Sequence, residues 1–221
     1  MLTSRTGRKV LLGLILICLT TAASNALALE NLGIIGGISG TSLEGDQPRD
    51  FSFDPGTGFA VGALVEFALT DDVLLSLQPG YLYSRTDITY KDRSAGVERD
   101  SLSLDVDWVV LPVLARIFSD NGTLFATGGF DLAWVVGGNF GDGQVDKPAS
   151  SILRNLDVAA IVGVGVSLPV GRYRITGEVR YRQGLINSAK NDTEEDESLP
   201  KRFRFAGFQL QAGLILPLGG P

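Results

Sequence analysis

The chain has 221 residues, with 19 Lys and Arg against 25 Asp and Glu, one cysteine and no histidine. Without histidine it lacks the commonest general base and the commonest metal ligand. A net charge of −6 with no basic patch argues against nucleic-acid binding.

The first element is a leader. Arg5, Arg8 and Lys9 precede an apolar run, Val10 to Leu19, and Ala26-Leu27-Ala28 gives a small-x-small cleavage signal. This is the layout of a secretory signal peptide, and the run is about half of the roughly 20 residues a spanning helix needs. A lipoprotein signal at Cys18 would want a small residue where Ile17 stands. The expected organisation is a cleaved signal peptide at 1–28 and one domain at 29–221. Cleavage after Ala28 leaves 193 residues (221 minus 28) and a net charge of about −9 (16 basic minus 25 acidic). The only cysteine leaves with the leader, which excludes a disulfide scaffold and thiol chemistry.

Eight segments then alternate with period two, at roughly 31–40, 58–69, 73–85, 102–117, 124–137, 155–168, 173–185 and 205–218. Such alternation predicts strands. Three connections are turn-sized: Thr70-Asp71-Asp72, Phe118 to Thr123, and Pro169 to Arg172. The other four, about 41–57, 86–101, 138–154 and 186–204, are long and polar. Strict alternation of short and long connections is the layout of a membrane barrel with short periplasmic turns and longer outer loops.

Each strand has one long apolar face. Phe59, Val61, Ala63, Val65, Phe67 and Leu69 share a face opposite Glu66. Leu124 through Val136, with Phe130 and Trp134, oppose Asp131; Val158 through Leu168 oppose Asp157, Gly163, Gly165 and Ser167; Phe208 through Leu216 oppose Gln209, Gln211 and Gly213. Eight strands cannot hold all these large side chains inside, because a barrel of that size has room only for one packed layer of side chains or a small ligand. The apolar faces are therefore expected to meet lipid. The expected fold is all-β: an eight-stranded antiparallel up-and-down transmembrane β-barrel, closed so that no backbone group is unsatisfied in lipid. Trp108, Trp134, Tyr173 and Tyr181, with Tyr81 and Tyr83, are expected as lipid-facing aromatics at the interfaces.

Three stretches carry a family resemblance. DWVVLPVLARIF (Asp107 to Phe118), LDVAAIVGVGVSL (Leu156 to Leu168) and ITGEVRYRQGLIN (Ile175 to Asn187) resemble, in order, three strand motifs of the PorT-like outer-membrane β-barrel family. The resemblance implies an eight-stranded barrel in the outer membrane of Gram-negative-type bacteria and no defined activity. Two departures stand out: the chain ends LILPLGGP without a terminal aromatic, and the fourth-strand acid is shifted upstream to Asp107.

The narrow faces carry charge. Glu66, Asp105, Asp107, Asp131, Asp157 and Glu178 are expected inside, with Arg174, Arg180 and Arg182; Arg116 joins them if Pro112 marks a bulge. Buried charges must pair. Hairpin register brings Asp157 near Arg182, Asp131 and Asp107 are expected within reach of Arg180 or Arg182, and Glu66 and Arg174 share the periplasmic end. The result is an ion-pair network that plugs the lumen or, in the alternative reading, lines a narrow channel. The run DTEEDES (Asp192 to Ser198) lacks the glycine turn and ligand order of a calcium loop and reads as a solvated outer loop. Glycine-rich Gly36 to Asp46 lacks the lysine and spacing of a phosphate loop.

The function expected from the sequence is a small non-enzymatic outer-membrane barrel serving envelope structure and surface-loop interactions. No catalytic residue, cofactor or metal is expected. The expected partners are lipopolysaccharide and phospholipid, with an extracellular ligand at the loops, and the expected state is a monomer. The competing readings are a channel, a carboxylate-only enzyme and a secreted soluble ligand-binding barrel.

Overall fold

The computed structural model describes residues 28–45, 51–92, 97–141, 147–190 and 202–218, with side chains for all of these except 51–53, 88–92 and 97–102. The leader up to residue 27 and the acidic run Asp192 to Ser198 lie outside the described residues.

Among the described residues eleven strands form: β1 Leu29–Gly45, β2 Phe51–Asp54, β3 Gly56–Ala68, β4 Val73–Leu77, β5 Gly80–Asp92, β6 Val97–Phe118, β7 Leu124–Gly141, β8 Lys147–Pro148, β9 Leu156–Val170, β10 Tyr173–Gly184 and β11 Phe203–Pro217. Pairing runs antiparallel from β1 to β3, from β3 to β4 and β5, and from these to β6. It continues through β7, β9, β10 and β11. The circuit closes where Asn31 through Gly45 of β1 pair residue by residue with Pro217 back to Phe203 of β11. The ring thus has eight staves, the third made of β4 and β5 together; β2 and β8 extend it at the long-loop end. Among the described residues no helix is long and apolar enough to cross a membrane.

The third stave was expected unbroken over 73–85. It splits at Gln78-Pro79 because proline has no N–H to give the ladder. The Pro79 carbonyl still accepts from Ala63 N, and Gln78 N donates to Pro112 O, so the wall stays tied across the break. Several strands also run further into the expected outer loops: β1 reaches Gly45 and β7 reaches Gly141.

The short turns follow from local chemistry. Val170 pairs with Tyr173, leaving Gly171-Arg172 as a two-residue hairpin with Gly171 at φ +60°; such tight turns need a residue tolerant of positive φ. Between β6 and β7, Gly122 takes φ +63° and the Asn121 side chain accepts from Thr123 N at 3.0 Å.

The outward face is apolar around the ring. Ile34 and Ile38 on β1, Phe59 and Val61 on β3, Val162, Val164 and Val166 on β9, and Phe208, Leu210 and Leu214 on β11 all stand exposed, Val164 at 66%. The inward face carries Glu66, Arg116, Asp131, Asp157, Glu178, Arg180 and Arg182, all buried. Toward the long-loop end the filling changes to an apolar cluster containing Trp108, Phe205, Leu104, Val106 and Leu153.

Candidate functional site in the barrel interior

Three polar groupings and an apolar cap fill the lumen. Nearest the short turns, Asn31 of β1 donates to Glu66 Oε2 of β3 at 2.8 Å, and Arg116 of β6 donates to Glu66 Oε1. The Arg116 guanidinium lies 3.9 Å from the centroid of Phe125 on β7, a cation–π contact. Phe125 fits because β9 supplies Gly165: a Cβ there would sit 2.3 Å from the Phe125 ring. The glycine, the ring, the guanidinium and the carboxylate form one chain of dependence across four strands.

Further along, Arg180 grips Glu178 with two parallel hydrogen bonds, 2.6 and 2.9 Å. Both lie on the inward face of β10, and Gly163 leaves the room they need: its Cβ would meet Glu178 Oε1 and Arg180 Cγ at 3.0 Å. The fork geometry of arginine makes such bidentate pairs strong and orientationally fixed. Arg182 then spans three strands, donating to Asp131 of β7 at 2.9 Å and to Asp157 of β9 at 2.8 Å. Ser188 donates to the second oxygen of Asp157 at 3.2 Å.

Above this triad lies the cap. Trp108 is 2% exposed, donates Nε1–H to Ser84 Oγ at 3.2 Å, and meets Phe205 edge-to-face at 5.4 Å. Two loop segments close over it. A 3-10 turn, Ala149–Ser151, leads to Ile152 and Leu153; Leu153 forms a β-bridge with Ala189, and Lys190 N donates to Ile152 O. Ala149, Leu153 and Ala189 are buried in the same apolar cluster as Trp108.

Several expected site residues lie elsewhere. Asp105 and Asp107 were expected inside, and Trp108 toward lipid; the structure reverses all three. Leu104, Val106, Trp108, Val110, Leu114 and Arg116 share one inward face of β6, so Pro112 causes no register switch. The bulge lies on the neighbouring strand, where the register passes from Asp107↔Gly137 to Trp108↔Val135 and leaves Val136 extra. The two aspartates point outward, where Tyr81 donates to Asp107 and Tyr83 to Asp105 at 2.8 Å. Arg85 approaches Asp105 and Asp87 on the same surface.

Arg174 keeps to the short-turn end but does not pair with Glu66. It donates to Ser167 Oγ at 3.0 Å and to the Gly122 carbonyl at 2.6 Å. It borders a vestibule of about 480 Å³ that reaches Glu66 and is lined also by Glu30, Asp71, Asp72 and Asp120. Trp134, Tyr173 and Tyr181 occupy outward faces, Tyr181 packed at 5.0 Å on Phe208. Sequence reasoning missed the cap altogether. It also missed Asn31, Gln78 and Ser188, single polar residues that no charge pattern marks.

Residues 28–190 match the family described as outer membrane protein beta-barrel domain. No curated protein matches the chain. Solved structures similar to it include Neisserial surface protein A, at 12% identity over 84% of this chain and 96% of that one, with a TM-score of 0.48. The outer membrane protein OprG from Pseudomonas aeruginosa matches at 10% identity over 86% and 97%, with a TM-score of 0.46. Ail, the attachment invasion locus protein of Yersinia pestis, matches at 12% identity over 86% and 100%, with a TM-score of 0.40.

Proposed function

Because the chain belongs to the outer membrane protein beta-barrel domain family, we propose that it is a small non-enzymatic barrel of the bacterial outer membrane with a closed lumen, acting through its outer surfaces. The observation that carries this reading is the double filling of the interior. The Arg182 triad and the Glu66–Arg116 pair block the lumen with buried ion pairs, and the Trp108–Leu153 cap blocks it again with apolar side chains. The vestibule at the short-turn end leads only as far as Asn31 and Glu66. A barrel of eight staves has no space beside such fillings for a solute path.

Closure leaves envelope structure and contacts by the long loops as the work of the molecule, and loops are where binding specificity resides. The outward belt, with Trp134, Tyr173 and Tyr181, faces phospholipid and lipopolysaccharide as a monomer. Residues 1–28 act as the export signal, with the short turns periplasmic. The narrower likeness to PorT-like barrels rests on the three strand motifs. With no histidine in the chain, an enzyme reading would rest on carboxylate-only chemistry. In planar bilayers the purified protein is expected to give no conductance steps above bare lipid. Stable single-channel currents would replace this reading with the narrow channel.

A further inference from the structure

Near the long loops the outward face differs from one wall of the ring to the other. On β5 and β6 the described outward charges are Asp87, Asp105 and Asp107 against Arg85, an excess of negative charge. On β1 and β11 the sign reverses. Arg202, just before β11, and Arg204 within it border a polar groove of about 300 Å³ together with Glu44 and Asn187. Glu44 pairs in register with Arg204, yet its carboxylate accepts from Gln183 Nε2 at 3.0 Å. Gln183 in turn accepts from the Tyr181 hydroxyl at 2.7 Å. Both arginines are exposed, and the side chain of neither has a hydrogen bond or ion pair among the described residues.

Directly below them the same wall turns apolar. Ser42 pairs with Ala206, Gly40 with Phe208 and Ile38 with Leu210. Tyr181 and Val179 of β10 continue the last two rows. A groove of about 530 Å³ lies there, lined by Ile38, Gly40, Thr57, Val179, Phe208 and Leu210. Gly40 keeps it open: a Cβ there would find nothing nearer than Gly56 O at 4.0 Å. A side chain therefore fits at this position and would fill the groove without disturbing the strand. Phe208 lies four residues along β11 from Arg204, roughly 13 Å at about 3.3 Å per residue. One amphiphile can reach both grooves.

We propose that this wall binds one lipopolysaccharide molecule of the outer leaflet, with a phosphate on Arg202 and Arg204 and an acyl chain over Gly40. The guanidinium fork matches phosphate oxygens and stays charged. The acyl groove is continuous with the apolar belt, where Ile38, Phe208 and Leu210 stand exposed. The β5–β6 wall, with its surplus carboxylates, repels the same headgroup. The grooves lie at the long-loop end, on the leaflet whose phosphorylated lipid is lipopolysaccharide. The proposal rests on the reading of the belt as lipid-facing and of the long loops as outward.

The test titrates the micelle-refolded protein with lipid A, dephosphorylated lipid A or phosphatidylglycerol, and counts bound lipid by native mass spectrometry. A single saturable lipid A adduct is expected, at least about tenfold tighter than either of the others. The double variant Arg202→Ala, Arg204→Ala and the single variant Gly40→Leu are each expected to weaken it by about tenfold. Arg85→Ala, on the β5–β6 wall, is expected to leave it unchanged. Equal binding of phosphatidylglycerol or of the dephosphorylated form would overturn the proposal, as would a protein dimer in place of the adduct. So would the absence of an adduct, or one that the three substitutions at 40, 202 and 204 leave intact. With the site alone at fault, Trp134 would still be quenched by brominated acyl chains. Loss of that quenching as well would instead remove the lipid-facing belt.

Discussion

Replacing Arg182 with alanine is expected to lower the unfolding free energy by about 3–5 kcal/mol, the scale for breaking a buried ion pair from one side. Arg182 is buried and is the only described cation bonded to Asp131 and Asp157, which lie 51 and 25 residues away in sequence on two other strands. Its loss strands two buried carboxylates without their cation. Arg85→Ala, by contrast, breaks exposed pairs with Asp87 and Asp105 and is expected to cost less than about 1 kcal/mol. Urea titration of both variants in micelles checks this; equal midpoints would remove the triad as a structural element. Arg180→Ala should likewise cost more than a loop change, because it leaves Glu178 buried alone.

Trp108→Ala is expected to cost about 3–5 kcal/mol, the usual range for deleting a large aromatic side chain from a packed core. Trp108 packs on Phe205 and anchors its indole N–H on Ser84 beneath the loop segments that close the lumen. Trp134→Ala removes a side chain that stands 39% exposed on the outer face. It is expected to cost markedly less. Equal losses in the two variants would contradict the placement of Trp108 in the cap.

How far the sequence revealed this depends on the strand. β9 could be read almost completely: valines on one face, Asp157, Gly163, Gly165 and Ser167 on the other, and a glycine turn after Val170. Short turns alternating with long loops gave ring order and strand number. β6 could not be read the same way, because its charged residues change face along the strand: Asp105 and Asp107 point outward and Arg116 inward. The rule that the inner face is the polar one holds for Glu66 or Arg180, deep among the ion pairs. It fails near the long loops, where the interior is a small hydrophobic core and an outward aspartate is satisfied by a tyrosine hydroxyl on the next strand. Two residues of β6 carried usable information. Arg116 and Trp108 are eight apart and must share a face on an unbroken strand, so burying the arginine buries the tryptophan. The bulge at Val136 depends on pairing between two strands and leaves no mark in either strand alone. The cap is invisible for a related reason: Ala149, Leu153 and Ala189 are ordinary small or aliphatic residues in segments that otherwise read as polar loop.

The central claim is an inverted barrel, apolar outward and filled inward, and the two tryptophans report on it directly. Single-tryptophan proteins, Trp108→Phe and Trp134→Phe, would be reconstituted into vesicles containing lipids brominated on their acyl chains, and fluorescence quenching measured. Trp134, the reporter in the Trp108→Phe protein, is expected to be strongly quenched, and Trp108, the reporter in the other, to be nearly unaffected. Strong quenching of Trp108 with protection of Trp134 would contradict the account.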